Sequence, residues 1–411
     1  MGVELRAVTG EEFDELSRVD HAAFASVPAD RDRIDDVHKV VELDRTRAVF
    51  EGGRMVAASA AFSFELTLPG LATVPVAAVS LVGVLPTHRR RGHLTRMMGA
   101  LLDDAAGRGE AVAVLLASES LIYGRFGYGV ASSHAAVEID TRHAALRPST
   151  PADTGRVVLL GTEEAAKVLP PVLDAARRSQ PGDLRRPQPW WDGTFRDPEG
   201  DRKGASPLFY AVHESAAGEA DGYAAYRVRH TWEHGLPDGR VLASEVVGLT
   251  PEAEAAMWRF LLSLDLVSVV EADLRPLDDP LRWMLADPRR LRVTMASDML
   301  WARLLDVAAA LAARRYRVPG TLVIDVADAF RPDAAGRYRL DGGPDGAECR
   351  RTTDDADLSL TAEELGALYL GGTLASTLAA AGRVVEHRAG ALAEADALLG
   401  SSPPPFCRTH F

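Results

Sequence analysis

The period of the apolar positions changes several times along the chain, and each change marks an element. Residues 3–7 alternate as in a strand. Thr9-Gly-Glu-Glu then offers a helix cap with an acid three positions on, and Phe13, Leu16, Val19 and Phe24 recur at roughly helical spacing, the signature of a core-facing helix. Residues 48–50 and 55–66 flank the turn Glu51-Gly52-Gly53-Arg54 and predict a hairpin, followed by a strand over 71–85. After Pro86-Thr87-His88-Arg89-Arg90-Arg91-Gly92-His93 the period becomes helical at Leu94, Met97, Met98, Leu101 and Leu102, until Gly107 and Gly109 end it. A short apolar strand over 111–116 and a loop with one helical turn over 118–128 complete a mixed unit built around one sheet.

Beyond a Pro-rich junction from Arg147, a second unit over about 157–291 repeats that order. Strands over 208–213 and 222–230 form a hairpin around Gly218, and 241–247 is a further strand. Thr250-Pro251-Glu252 opens a helix carrying Ala256, Trp258, Phe260 and Leu261, and 266–270 is a short strand. No arginine cluster precedes this second helix, so the duplicated fold is expected to hold a polyphosphate in its first copy only. A third, α+β unit follows, with a long helix predicted over 300–315, a strand over 320–326, short strands over 338–340, 347–351 and 358–360, and helices over 362–370 and 374–381. Its end, Ser401-Ser-Pro-Pro-Pro-Phe-Cys-Arg-Thr-His-Phe411, is stiffened by three prolines and bracketed by aromatic residues.

Length and charge narrow the function. A chain of 411 residues exceeds what one core usually fills, so two or three domains are expected. The formal charge of -13 argues against a nucleic-acid or anionic-membrane binder and suits a cationic small substrate, although it suits a merely solubilising acidic surface as well. Neither a secretory signal nor an apolar run of membrane-spanning length is present, which predicts a cytoplasmic protein. Cys349 and Cys407 are far apart and lack neighbours at ligand spacing, so no disulfide framework and no metal site are expected.

The chemistry concentrates at Arg89-Arg90-Arg91-Gly92-His93-Leu94-Thr95, a strand-to-helix junction. The first amides of a helix lack intrahelical partners and, with the helix dipole, attract phosphate oxygens. Gly92 lets a pyrophosphate approach the backbone. A solvated basic turn would have the same composition, but Tyr123-Gly124-Arg125-Phe126-Gly127-Tyr128 follows one helix and one strand later. Arg89 to Leu94 matches the acetyl-CoA signature of GCN5-related N-acetyltransferases, with Leu94 standing where that signature has Gly or Ala, and Tyr123 to Tyr128 matches that superfamily's pattern of Tyr, three residues, Gly and an aromatic.

The whole chain resembles the enhanced intracellular survival (Eis) family of those enzymes. The resemblance rests on Val79-Ser-Leu-Val-Gly-Val-Leu-Pro-Thr-His-Arg-Arg-Arg-Gly92, on Ile122-Tyr-Gly-Arg-Phe-Gly-Tyr-Gly129, on a second unit lacking the donor motif, and on the ending Phe-Cys-Arg-Thr-His-Phe411. It implies an α/β and α+β architecture of tandem acetyltransferase folds followed by a sterol-carrier-like domain, here 1–148, 149–292 and 293–411, with the C-terminal tail entering the active site. It also implies a homohexamer, and acetyl-CoA as donor for aminoglycoside-like amines. Val82, Gly83 and Val84, the turn from Arg89 to Thr95, and the pair Ser118 and Glu119 would hold the donor. Tyr123 would be the acid and the terminal carboxylate of Phe411 the base.

From the residues alone, the Tyr123 phenol suits protonation of a leaving thiolate, and backbone N–H groups of Val82 to Val84 suit the thioester oxygen. His88 and His93 border the phosphates. The acceptor side is expected at Phe24, Asp30, Asp32, Asp35 and Asp36, with Phe62, Phe64, Glu65, Ser80 and Trp190 or Trp191 nearby. Acetylation of protein lysines or polyamines would use the same donor site. A hydrophobic-ligand carrier, suggested by the apolar third unit, would need an accessible tunnel.

Overall fold

The computed structural model describes residues 2–27, 31–152 and 154–411. Two compact units form, one of Met1–Ser132, Pro181–Arg185 and Met299–Phe411, the other of Ser133–Gln180 and Arg186–Asp298.

The first unit opens with β1 (Val3–Arg6), α1 (Phe13–Phe24) and α2 (Arg31–Val40). It continues through β2 (Thr46–Glu51), β3 (Arg54–Thr67), β4 (Thr73–Val84), α3 (His93–Gly107), β5 (Val112–Leu116), the single turn α4 (Ser120–Tyr123) and β6 (Gly129–Val130). The cap expected before α1 is present, with the Thr9 N–H donating to the Glu12 carboxylate over 3.0 Å. Phe13, Leu16 and Val19 are buried, whereas Phe24 is 48% exposed and so serves something other than the core.

The second unit holds β7 (Ser133–Asp140), β8 (Arg156–Leu160), α5 (Thr162–Arg177), α6 (Gln188–Arg196), β9 (Phe209–Glu214), β10 (Ala220–Arg229) and the two-residue pair β11 (Trp232–Glu233) and β12 (Leu236–Pro237). β13 (Gly239–Gly248), α7 (Pro251–Leu262), β14 (Val267–Arg275), α8 (Leu281–Met284) and β15 (Leu291–Asp298) complete it. Its sheet runs β15-β7-β14-β13-β10-β9-β8 around a core that includes Tyr226, Met257 and Trp258. The junction of β13 and α7 is filled by protein. The Thr250 hydroxyl accepts from the Ala253 N–H, and a Cβ on Gly248 would lie 2.4 Å from the Glu254 nitrogen. Glu254 in turn pairs with the buried Arg275 at 2.5 Å.

The chain then returns to the first unit with β16 (Leu300–Leu304) and α9 (Val307–Ala312). β17 (Gly320–Ala327), β18 (Gly336–Gly343), β19 (Gly346–Arg351), β20 (Leu358–Thr361), α10 (Ala362–Tyr369), α11 (Ala375–Ala380), β21 (Val385–Glu386) and α12 (Ala391–Leu399) follow. The long helix predicted over 300–315 is therefore wrong. Residues 300–304 are a strand buried on both faces, where polar alternation vanishes and an apolar run reads as readily as helix. Asp306 then starts a separate short helix by accepting from the Ala309 N–H at 2.9 Å.

In the first unit's sheet, β1-β2-β3-β4-β5-β16-β6, β16 pairs antiparallel with β5 from Leu300↔Leu116 to Leu304↔Val112 and with β6 at Trp301↔Val130. A smaller sheet, β19-β18-β17-β20-β21, belongs to the C-terminal part. Helix α10 lies on the backbone of β6 and β16 at a distance only glycine permits. A Cβ on Gly129 would meet the Glu363 carbonyl oxygen at 1.9 Å, and one on Gly366 would meet the Ala302 oxygen at 2.1 Å. Gly129→Ala and Gly366→Ala should each cost about 3 kcal/mol or more, because backbone faces backbone and neither can yield. Denaturant unfolding checks this against Gly107→Ala, where nothing lies within 4 Å and no loss is expected.

Candidate active site

A cleft of about 420 Å³ opens where two strands of the first unit part company. β4 and β5 pair in parallel only from Ala77↔Ala113 to Val79↔Leu115. On its other side β4 slips register against β3 between Ala58↔Gly83 and Ala60↔Ser80, with Leu81 at a φ of 52°, a bulge that turns the end of β4. Val82, Gly83 and Val84 line one wall of the opening, and Ser118 and Glu119 the other. Gly83 has to be glycine, since a Cβ there would press the Cβ of Ala23 on α1 at 2.9 Å.

The arginine-glycine turn forms the floor. Arg90 and Gly92 both take left-handed backbone, φ 63° and 80°, and Gly92 caps α3 without any side-chain hydrogen bond to the helix amides. The first helical bond is Arg96 N–H to Gly92 O at 3.1 Å, so the amides of His93, Leu94 and Thr95 precede the ladder on residues that line the cleft. Such free amides at the start of a fifteen-residue helix suit an anion.

The three arginines divide. Arg89 and Arg90 line the cleft, and Arg89 also donates to the Ala23 carbonyl at 2.8 Å. Arg91 is not on the lining; it donates to Glu51 Oε2 at 3.3 Å and to the Thr87 carbonyl at 3.2 Å. Glu51, which sequence reading placed only in a hairpin turn, also lies 3.1 Å from Nε2 of the buried His93 and 3.6 Å from Nε2 of His88. Burial pushes His93 below the usual imidazole value, with the Glu51 charge opposing, so it is neutral at physiological pH. No sequence signal marked Glu51, because its partners come from another element.

Tyr123, at the end of α4, is 5% exposed and still lines the cleft. Its ring packs among Ala61, Val79, Met98 and Trp301 and stands edge-on to Tyr128 at 6.3 Å. Burial raises its pKa above the ordinary 10.0, a hydrogen bond with Ser118 works the other way, and the Glu119 charge adds to the rise. The phenol is thus held protonated at neutral pH.

Phe411 is not on the lining. Its ring stands edge-on to Phe64 of β3 at 5.5 Å, at the end of a tail in which Phe406, Cys407 and Thr409 are buried. Of the expected acceptor acids, Asp30 lies outside the described residues. Asp35 and Asp36 are engaged by Arg31 at 2.9 Å and Lys39 at 3.2 Å, ion pairs along the exposed α2. Phe24 does line the cleft, as do Ile122 and Arg125, which sequence reading missed. Trp191 is a core residue of the second unit, stacked on Phe195 at 5.5 Å.

Residues 4–131 match the acetyltransferase (GNAT) domain family, residues 182–304 match a second family of that description, and residues 307–408 match the sterol carrier protein domain. An uncharacterized N-acetyltransferase of Streptomyces coelicolor is 43% identical over 417 residues, 99% of each chain. N-acetyltransferase Eis of Mycobacterium tuberculosis is 36% identical over 363 residues, 86% of this chain and 85% of that one. The crystal structure of Eis1 from Mycobacterium abscessus superposes with a TM-score of 0.88 at 36% identity, covering 99% of this chain and all of that one. This chain belongs to the Eis family of GCN5-related N-acetyltransferases. It is therefore an acetyl-CoA-dependent N-acetyltransferase, with two acetyltransferase folds followed by a sterol-carrier-like domain. The three-part fold persists in a GCN5-related N-acetyltransferase from Anabaena variabilis at 18% identity, TM-score 0.86. Among the described residues no helix is long and apolar enough to cross a membrane, and no group of three or more His, Cys, Asp and Glu could hold a metal.

The division of the arginines gives a graded expectation. Arg90→Ala should weaken acetyl-CoA binding about tenfold by removing a phosphate partner. Arg91→Ala should change it less than about threefold, its charge being spent on Glu51. Calorimetric titration of both variants with acetyl-CoA measures the difference.

Proposed function

We propose that this Eis-family enzyme acetylates amines of aminoglycoside-like polycations by direct transfer in a ternary complex, at the cleft between β4 and β5. The observation that carries this reading is the convergence there of splayed strands, an uncapped helix N-terminus and a protonated Tyr123. The Phe411 carboxylate takes a proton from the acceptor ammonium, and the freed nitrogen attacks the thioester carbonyl carbon. Backbone N–H groups of Val82 to Val84 receive the negative charge on the carbonyl oxygen. As the C–S bond breaks, the Tyr123 phenol protonates the sulfur, and the remaining extra proton on the attacking nitrogen returns to the phenolate, leaving a neutral amide, coenzyme A and a restored phenol. Arg89, Arg90 and Gly92 to Thr95, with Ser118 and Glu119, hold the donor.

Direct transfer agrees with the state of the thiols. Cys407 is fully buried, out of a substrate's reach, and burial pushes Cys349 up to about 11, which holds its thiol protonated at neutral pH. A lipid-carrier role for the C-terminal part is opposed by its own core. There the fully buried Arg314 donates to the carbonyls of Tyr369 and Leu399 and lies 4.8 Å from the Tyr316 ring centre, a charge where a carrier needs an apolar tunnel. The excess of acidic residues, 59 against 46 basic, favours a polycationic acceptor over an acidic peptide. By family likeness we place the enzyme in the cytoplasm as a homohexamer, which light scattering would test by resolving six chains per particle.

Coenzyme A release should be fastest with aminoglycosides in a panel that includes polyamines and lysine peptides. Turnover confined to peptides would move the assignment to protein acetylation. Tyr123→Phe should lower kcat about 10²-fold or more with little change in the KM for acetyl-CoA. Because the phenol acts when protonated and its pKa is raised, the wild-type rate should hold through neutral pH and decline only above pH 10, and this alkaline limb should vanish in Tyr123→Phe.

A further inference from the structure

The five residues Pro181–Arg185 leave the second unit's sequence to join the first unit, and what they do there is unexplained by donor binding. They extend the end of β3. Gly182 N–H donates to the Thr67 carbonyl at 2.8 Å, Thr67 N–H to the Asp183 carbonyl at 3.0 Å, and Arg185 N–H to the Glu65 carbonyl at 2.9 Å, with Leu184 bridged to Leu66. On this added edge the C-terminal tail is fastened. Phe406 N–H donates to the Pro181 carbonyl at 2.9 Å, and Gly182, at φ 87°, leaves room for Pro405 at 3.1 Å from where a Cβ would be.

The fastening centres on one carboxylate. Asp183 is 1% exposed, its Oδ1 accepts from the backbone N–H groups of Arg408 at 2.9 Å and Leu184 at 3.0 Å, and its Oδ2 accepts from the Arg408 guanidinium at 2.5 Å. One buried side chain thus grips both the main chain and the side chain of the residue three before the terminus. Three extended residues span about 10 Å, so fixing Arg408 confines the terminal carboxylate to a small volume, and the Phe411 ring on Phe64 narrows it further.

We infer that Asp183 is a positioning residue that sets the Phe411 carboxylate in place for proton abstraction through its bond to Arg408. This rests on the reading of that carboxylate as the base. A buried, doubly engaged carboxylate is a wasteful way merely to tether a tail, since the Phe406 hydrogen bond to Pro181 already does so. It is an effective way to hold an angle, and a misplacement of about 1 Å can cost about a hundredfold in rate.

The test is a double-mutant cycle on full-length enzyme, between Asp183→Asn and deletion of Phe411, read as kcat and KM for an amine and as the acetyl-CoA dissociation constant. Asp183→Asn should lower kcat about tenfold or more with donor binding within about twofold, and should add no further loss once Phe411 is absent. Arg408→Gln, which breaks the same pair from the tail without touching the β3 edge, should reproduce this even if Asp183→Asn folds poorly. Full loss on deleting Phe411 with unchanged kcat in both pair variants, or additive losses in the cycle, would overturn the positioning role alone. Undiminished turnover without Phe411 would overturn the base reading and the positioning role with it.

Discussion

Everything that gives the cleft its chemistry hangs on the insertion of β16 between β5 and β6. Without this strand the sheet would end at β5, and the segment that follows β5, which carries Ser118, Glu119 and Tyr123, would have no edge to return to. The strand arrives more than 180 residues after β5 in the sequence and brings the C-terminal part with it. Trp301 from β16 packs in the cluster that holds Tyr123, and Arg303, wholly buried, donates to the Phe126 carbonyl and pairs with Asp328 at 2.6 Å. Pairing over so long a loop makes the site a property of the entire chain rather than of its first third.

This dependence explains the glycines of the Tyr123–Gly129 motif. They leave room for α10 and β16: a Cβ on Gly124 would meet the Glu363 carboxylate at 2.7 Å, and one on Gly127 would strike the Arg303 guanidinium of β16. The sterol-carrier-like part is thereby the backing of the Tyr123 loop, while its last residues are fastened to the far end of β3. A domain whose centre is a buried arginine capping two helix ends is built to be rigid.

The donor half of the site was legible because it is local. An apolar strand, a Pro turn, an Arg-Arg-Arg-Gly run and an amphipathic helix are contiguous, and backbone geometry at Gly92 and Arg90 follows from residue type. Tyr123 was legible by motif. Glu51 and Asp183 were not, since each acts on partners from a distant segment and neither stands in a pattern. The strand at 300–304 was misread for a related reason: burial on both faces erases the alternation that distinguishes strand from helix. The acids of α2 looked like ammonium ligands in composition, but their spacing also suits pairs within one helix, and two of them are so engaged.

In the proposed reaction a terminal backbone carboxylate, not a side chain, takes the proton. The most direct measurement replaces it by a neutral isostere, with the enzyme assembled by ligation to a tail ending in Phe411 carboxamide, so that the ring, the Arg408 bond and the length of the tail are all kept. With a catalytic carboxylate, kcat/KM for the amine should drop about 10²-fold or more while acetyl-CoA binds as before. Turnover equal to that of the natural carboxylate would contradict it.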